Sequence, residues 1–318
     1  MEMPRSHRTA SRLKLRNLEV FMMVASAGTM GRAAAELAVS QPVISKAIAD
    51  LEYALGVRLF DRSRRGVELT EHGHSLHASG IAVFDELKQS VARLEALNDP
   101  TVGEVRIGST VPLAGGLVSA AVNRMCARYP RMKFHVVEAD RNTLRTRDLA
   151  ARNIDFAVVH ILEPFSTDEF AVEVLTDDAY IVYVGRNSKW AKRRNVRLAD
   201  LVNERWVLPP LGQILAPLHK AFDAAGLERP RATVMTLSVH VHNSLLATGR
   251  FVTALPRATF GWGATYLPIK ALKIEMPTTG GPIAIVTLRG RKLSGAANLF
   301  LDCLRELVAQ REKNKRSR

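Results

Sequence analysis

Cysteine is almost missing from this chain: Cys126 and Cys303 are the only two in 318 residues, and they stand far apart. That excludes a disulfide framework and fits a reducing compartment, the cytoplasm. Both fall within helical patterns and are expected to be small buried hydrophobes. Long hydrophobic runs are absent too, so no membrane span is expected. The first sixteen residues are basic and polar with no apolar stretch behind them, so no secretory signal is expected. No Gly-x-Ser-x-Gly, phosphate-binding Walker loop or dinucleotide fingerprint occurs. Pairs such as Asp177-Asp178 read as surface carboxylates without a catalytic case. His240 and His242 would share a face in a strand, but Ser238 reads as the cap of a helix in which they diverge. His72, His74 and His77 are spaced wrongly for one site and read as solvated. No enzyme activity, metal or cofactor is expected.

Apolar residues at 47% and charged residues at 24% fit a globular protein with room for two or three domains. The net charge of +14 is unevenly spread. Residues 1–100 hold 13 Lys/Arg against 12 Asp/Glu, and the remainder 32 against 19. The excess beyond residue 100 is open to three readings: steering of DNA, attraction of an anionic ligand, or solubility.

Residues 29–55 read as two short helices separated by a tight break, a helix-turn-helix. Thr29 caps the first, and Ala33, Ala34 and Leu37 let a second helix cross close by. Ser40 stands at the cap of the second, with Pro42 in its first turn, where a missing N–H costs nothing. Ile44, Ile48, Leu51 and Leu55 recur at helical spacing and bury one side. The other side carries Gln41, Ser45, Lys46 and Ala49, which suit base edges, a phosphate or a thymine methyl. Thr29, Arg32 and Pro42 complete the candidate DNA-facing set on these helices. A helical hairpin with a merely solvated face fits these residues as well, and the next segment tips the balance. Residues 56–62 and 67–70 read as short strands around Ser63-Arg64-Arg65-Gly66, a basic turn. Together they make a winged helix-turn-helix, with Arg62, Arg64 and Arg65 set against the DNA backbone or minor groove.

Here the chain resembles the LysR-type transcriptional regulators. The resemblance is carried by Leu18, Phe21, Gly28, Ala33-Ala34, the run Ser40-Gln41-Pro42-Val43-Ile44-Ser45, Ile48, Leu51-Glu52, Leu55-Gly56, Leu59-Phe60-Asp61-Arg62, Leu69-Thr70 and Gly73. Met30-Gly31 stands where the family has an aromatic followed by a hydroxyl residue, and Lys46-Ala47 replaces Arg-Gln, which removes one base reader.

A long helix follows, to the stop signal Asn98-Asp99-Pro100. Phe84, Leu87, Val91 and Leu94 recur at spacings of a coiled-coil seam, and Gly73 and Gly80 permit close approach of a partner. A dimerising linker helix is expected, as the resemblance also implies, with two recognition helices reading two half-sites. From Thr101 strands and helices alternate: strands at 105–108, 133–138, 154–160, 179–184, 206–208, 232–236, 251–255 and 283–288, helices at 113–129, 143–151, 216–225, 239–248 and 295–310. That order predicts two α/β lobes built on mostly parallel strands. It resembles the two-lobed, periplasmic-binding-protein-like effector domain of the same family, with the chain crossing between lobes near 161–165 and within 283–288.

Ligands of such lobes sit where strands end and helices begin. Ser109 and Thr110 are the first candidates for an anionic effector, though plain capping suits them too; Asn142 and Pro209 occupy comparable junctions. The expected division is a basic arm at 1–14 carrying Arg5, Arg8 and Arg12, a winged helix-turn-helix at 15–70, a linker at 71–100, a first lobe at 101–162, a second at 163–285, a return to the first at 286–310 and a frayed basic tail at 311–318. The expected partners are promoter DNA, a small-molecule effector, RNA polymerase and further copies of the chain, a dimer through the linker and a tetramer as the resemblance implies. The rivals are a cytoplasmic small-molecule-binding protein whose N-terminal module does not bind DNA, and an enzyme, which lacks a nucleophile and base.

Overall fold

The computed structural model describes residues 13–63, 66–99, 101–161, 168–210, 212–262, 267–274, 276 and 279–316. The chain divides into two compact units, Met1–Lys88 and Gln89–Arg318. The described part of the first opens with the helices α1 (Leu15–Ala27), α2 (Met30–Glu36) and α3 (Gln41–Leu55), then the hairpin β1 (Phe60–Ser63) and β2 (Gly66–Leu69). Val20, Phe21, Val24, Ala33, Ile44, Ile48 and Leu51 form its core, and the Phe21 and Phe60 rings lie 5.1 Å apart.

Thr29 caps α2 as expected, its hydroxyl accepting from the Arg32 N–H. Ser40 occupies the cap position of α3 with extended backbone, yet its side chain makes no capping bond. The reason is local: the second helical residue is Pro42, which has no N–H, and the Val43 N–H already donates to the Ser40 carbonyl. The hairpin is tied down twice. Val67 N–H donates to the Gly28 carbonyl, and a Cβ at Gly66 would come within 2.6 Å of that oxygen. Glu52 Oε1 accepts from the Leu59 N–H at 2.7 Å and the Phe60 N–H at 3.3 Å, joining the wing to α3. Glu52→Ala removes that acceptor and is expected to cost about 1–3 kcal/mol, read as a lower urea midpoint.

Helix α4 runs unbroken over Glu71–Asn98. Val83, Leu87, Val91, Leu94 and Leu97 are exposed on it, between 42% and 81%. Phe84, expected in the seam, is half-buried, and the neighbouring Val83 is exposed. The two helix glycines permit close packing within the unit itself. A Cβ at Gly73 would meet the Leu59 carbonyl, and one at Gly80 would lie 2.6 Å from Met22 Sδ.

Among the described residues the second unit has nine strands, in the order β4-β3-β5-β11-β6-β9-β7-β8, with β10 beside β6. They are β3 (Val102–Ser109), β4 (Arg131–Glu138), β5 (Phe156–His160), β6 (Phe170–Gly185), β7 (Trp206–Leu208), β8 (Ala232–Met235), β9 (Val252–Pro256), β10 (Ile269–Ala271) and β11 (Thr279–Leu288). Strands β3, β4 and β5 are parallel, as are β7, β8 and β9. The longer helices are α5 (Ser119–Arg128), α6 (Gly212–Ala224), α7 (Val239–Ala247) and α8 (Gly295–Arg316), and shorter helical segments follow β3 and β4. The two largest hydrophobic clusters of this unit centre on Ile107, Leu117, Phe156 and Phe300, and on Tyr180, Trp206, Leu218 and Phe222.

The lobes change elsewhere than expected. Residues 162–167 lie outside the described set, but β6 begins in the first lobe, pairing Phe170 with Leu288 and Thr176 with Ile283, and reaches the second only where Tyr180 meets Pro256. The return comes before Ile283, which already pairs with His160. One long strand therefore carries the crossing. Three smaller expectations also change. Cys303 is buried, whereas Cys126 is exposed. Asp178 is 4% exposed rather than a surface carboxylate. The expected frayed tail is helical to Arg316, and the Arg311 guanidinium stacks 4.5 Å over the Trp262 ring, which holds the last turns of α8.

Candidate DNA-reading helix and effector cavity

Helix α3 is two-faced. Ile44, Ile48 and Leu51 are at most 1% exposed, while Gln41, Pro42, Lys46 and Ala49 are exposed and Ser45 is half-buried beside them. The start of α2 joins this surface: Arg32 is exposed, and a Cβ at Gly31 would lie 4.0 Å from Gln41 Oε1. The turn between the helices has positive φ at Ala38, a conformation usually left to glycine. Arg62 lies on β1; Arg64 and Arg65, like the arm residues Arg5, Arg8 and Arg12, lie outside the described residues.

In the second unit the ends of the strands converge on a cavity of about 340 Å³. Thr110 and Pro112 reach it after β3, Asp140, Arg141 and Asn142 after β4, His160 from the end of β5 and Tyr180 from β6. Pro209, Ile214, Pro217, Leu237, Val239, Leu255 and Pro256 form an apolar wall. Three expected effector residues, Thr110, Asn142 and Pro209, thus meet at one cavity. Ser109 does not: it is fully buried, and its hydroxyl donates to backbone carbonyls, Val158 O at 3.3 Å among them. Thr110 Oγ1 is buried and has no hydrogen-bond partner among the described residues. Asp140, which the sequence reading missed, caps the turn after β4: its carboxylate accepts from the Thr143 hydroxyl and from the Thr143 and Asn142 N–H groups, and these bonds, the hydroxyl's first, hold its carboxyl below the usual range. An Asp directly before a helical segment was the available signal.

His160 and Asp178 were also missed. His160 Nε2 and Asp178 Oδ2 lie 2.9 Å apart, and the same oxygen accepts from the Ala258 N–H at 3.1 Å. Asp178 therefore fastens the end of β5 and the turn after β9 to the crossing strand. Nothing local marks a pair separated by eighteen residues.

Ser238 caps α7 as expected, and the two histidines diverge: His240 is exposed, His242 is 1% exposed. His242 lines the cavity, with Nδ1 3.0 Å from Thr253 Oγ1 and Nε2 3.3 Å from the Thr236 carbonyl. Burial pushes its pKa below the ordinary 6.5. As pH falls through 6.5 the unfolded chain takes up a proton that the folded chain refuses, so stability is level above that pH and declines below it. The decline is at most about 1.4 kcal/mol per pH unit from this group. Comparing thermal midpoints at pH 7.5 and 5.5, His242→Asn is expected to flatten that part of the profile.

The chain matches two family models: a bacterial regulatory helix-turn-helix of the lysR family over residues 15–74, and a LysR substrate binding domain over 98–309. It is 30% identical over 309 residues to the transcriptional regulator GbpR of Azospirillum brasilense, covering 93% of this chain and 86% of that one. It is 28% identical to the dual regulator GltC of Bacillus subtilis, covering 95% and 99%. Among solved structures it is similar to CbnR complexed with its target DNA, with a TM-score of 0.53 at 22% identity over 93% of this chain and 100% of that one. HinK of Pseudomonas aeruginosa gives 0.54 at 21%, covering 93% and 98%. Among the described residues no helix is long and apolar enough to cross a membrane. With a DNA-binding helix-turn-helix ahead of an effector-binding domain, the chain belongs to the LysR-type transcriptional regulators, a family of non-enzymatic gene switches.

Proposed function

We propose that α3 enters the major groove of a promoter operator, with Gln41, Ser45, Lys46 and Ala49 at base edges. Thr29, Arg32 and Pro42 flank them, and Arg62, Arg64 and Arg65 lie against the backbone. The observation that carries this reading is the split of α3 into a fully buried apolar face and a polar face open to solvent. Two chains pair along α4, present two such helices to two half-sites, and pair again into a tetramer. A small effector occupies the cavity at Thr110, Asn142 and Pro209. It shifts the assembly toward the arrangement it binds better, by no more than that difference in affinity. The shift alters the bend of bound DNA in the cytoplasm and the access of RNA polymerase.

The test is a gel shift with DNA upstream of the chain's own gene. Gln41→Ala and Ser45→Ala are each expected to weaken operator binding by about 1–3 kcal/mol, or 5- to 150-fold, and to leave binding to unrelated duplex unchanged. Unchanged operator affinity would show that the recognition face is assigned wrongly. Native mass spectrometry of freshly purified protein is the matching test of the cavity, with a retained small molecule as the expected result.

A further inference from the structure

The segment joining β6 to β7 is a concentration of one sign of charge. Between Arg186 and Arg197 stand six Lys or Arg and no Asp or Glu. Arg186, Lys189, Lys192, Arg193, Arg194 and Arg197 are all exposed. Two have acidic partners, Lys189 with Glu204 and Arg197 with Asp200. Across the described residues no ion pair neutralises the other four.

The segment is also held in place. Its first residue donates its N–H to the Pro268 carbonyl, and Ser188 caps the turn Lys189–Lys192. Trp190 is buried, with Lys189 Nζ and Arg193 Cζ each 4.9 Å from its ring centroid. Lys270, on neighbouring β10, adds a further cation whose Nζ donates to the Ala191 carbonyl. Gathering like charges on a braced turn works against folding, and a surface made for solubility mixes the signs instead.

We propose that this turn binds the phosphate backbone of duplex DNA, at a place separate from the helix-turn-helix. Two observations choose DNA over an acidic protein. No large exposed hydrophobic side chain lies between residues 186 and 197, whereas protein interfaces are built around apolar and aromatic anchors. Nucleic-acid interfaces are polar and positive, and duplex DNA offers a charge about every 1.7 Å. The composition agrees: residues 1–100, which contain the helix-turn-helix, hold 13 Lys/Arg against 12 Asp/Glu, so most of the positive excess lies beyond them.

The experiment measures binding of the full chain to a 60-bp random-sequence duplex across a salt series. The triple variant K192Q/R193Q/R194Q is expected to lower the slope of log affinity against log salt by about 1–3, at roughly 0.9 for each phosphate no longer neutralised. A control, K133Q/K220Q/K292Q, removes the same charge from exposed positions elsewhere and is expected to move the slope much less. R193K/R194K keeps the charge and should retain the slope. Equal slopes for wild type and the patch variant, or an equal loss in the control, would overturn the proposal; the former leaves the turn to an acidic protein or to solvent. Because Gln41→Ala tests operator discrimination rather than salt slope, failure of the recognition helix and failure of this basic turn are told apart.

Discussion

Arg291→Met is expected to destabilise the second unit by about 3–5 kcal/mol, read as a lower urea midpoint of the full chain. Arg291 and Asp155 form an ion pair of 3.1 Å whose side chains are 2% and 6% exposed, so solvent screens it little. Asp155 is the centre of the arrangement. Its Oδ1 also lies 3.5 Å from Gln89 Nε2 on α4, and its Oδ2 accepts from the Arg106 N–H of β3 at 2.9 Å. Arg291 in turn donates to the Ile154 carbonyl. Removing the guanidinium strands the buried carboxylate, which loses its 3.1 Å ion-pair partner. Total stability of a domain is only about 5–15 kcal/mol, so a loss of this size is decisive. Asp155→Asn in the same chain keeps an acceptor for Arg106 and removes the stranded charge; the double variant is therefore expected to be more stable than Arg291→Met alone. A single-variant loss below about 1 kcal/mol would mean that the pair is dispensable.

This pair shows where sequence reading stops. Asp155 and Arg291 are separated by 136 residues, and each looks like an ordinary surface charge in its own segment. His160 and Asp178 have the same character. What was legible is what repeats or punctuates locally. Ile44, Ile48 and Leu51 declared the buried side of α3, Thr29 its neighbour's cap, and Ser238 the start of α7. Ser40 looked like an equally good cap, and the Pro42 that helps to start the helix is also what leaves it without a bond. The first half of β6 was missed because several of its residues, Ala171, Glu173 and Val174 among them, face solvent and the strand has no long apolar run. Only pairing with β11 defines it. Of the cavity, the sequence marked Thr110, Asn142 and Pro209, since strand ends are where ligands gather. Its apolar wall came from prolines and aliphatic residues that read one by one as packing.

The outward face of α4 carries the larger functional expectation. Leu87→Lys together with Leu94→Lys is expected to convert the full-length chain to monomers in sedimentation and to weaken operator binding by about 10²–10⁴. Val83, Leu87, Val91, Leu94 and Leu97 follow one another at steps of four, four, three and three, one continuous stripe over the last four turns of α4. Five large apolar side chains in water are unfavourable at roughly 25 cal/mol per Å² of surface left uncovered, and a second α4 offers a matching stripe. Glu86, Lys88 and Glu95 stand exposed among them, the kind of flanking charge that sets register where two such helices pair. The affinity loss follows from geometry and leaves every base reader in place, since a monomer brings one α3 to one half-site and forfeits the effective concentration of the second. Leu87 and Leu94 are 42% and 63% exposed within the chain, so lysine there removes little intramolecular packing, and the melting temperature of the monomer should stay close to that of an Arg93→Lys control. An unchanged sedimentation coefficient in the double variant would place the dimer interface elsewhere. Dissociation with full operator affinity would break the link between pairing along α4 and reading two half-sites.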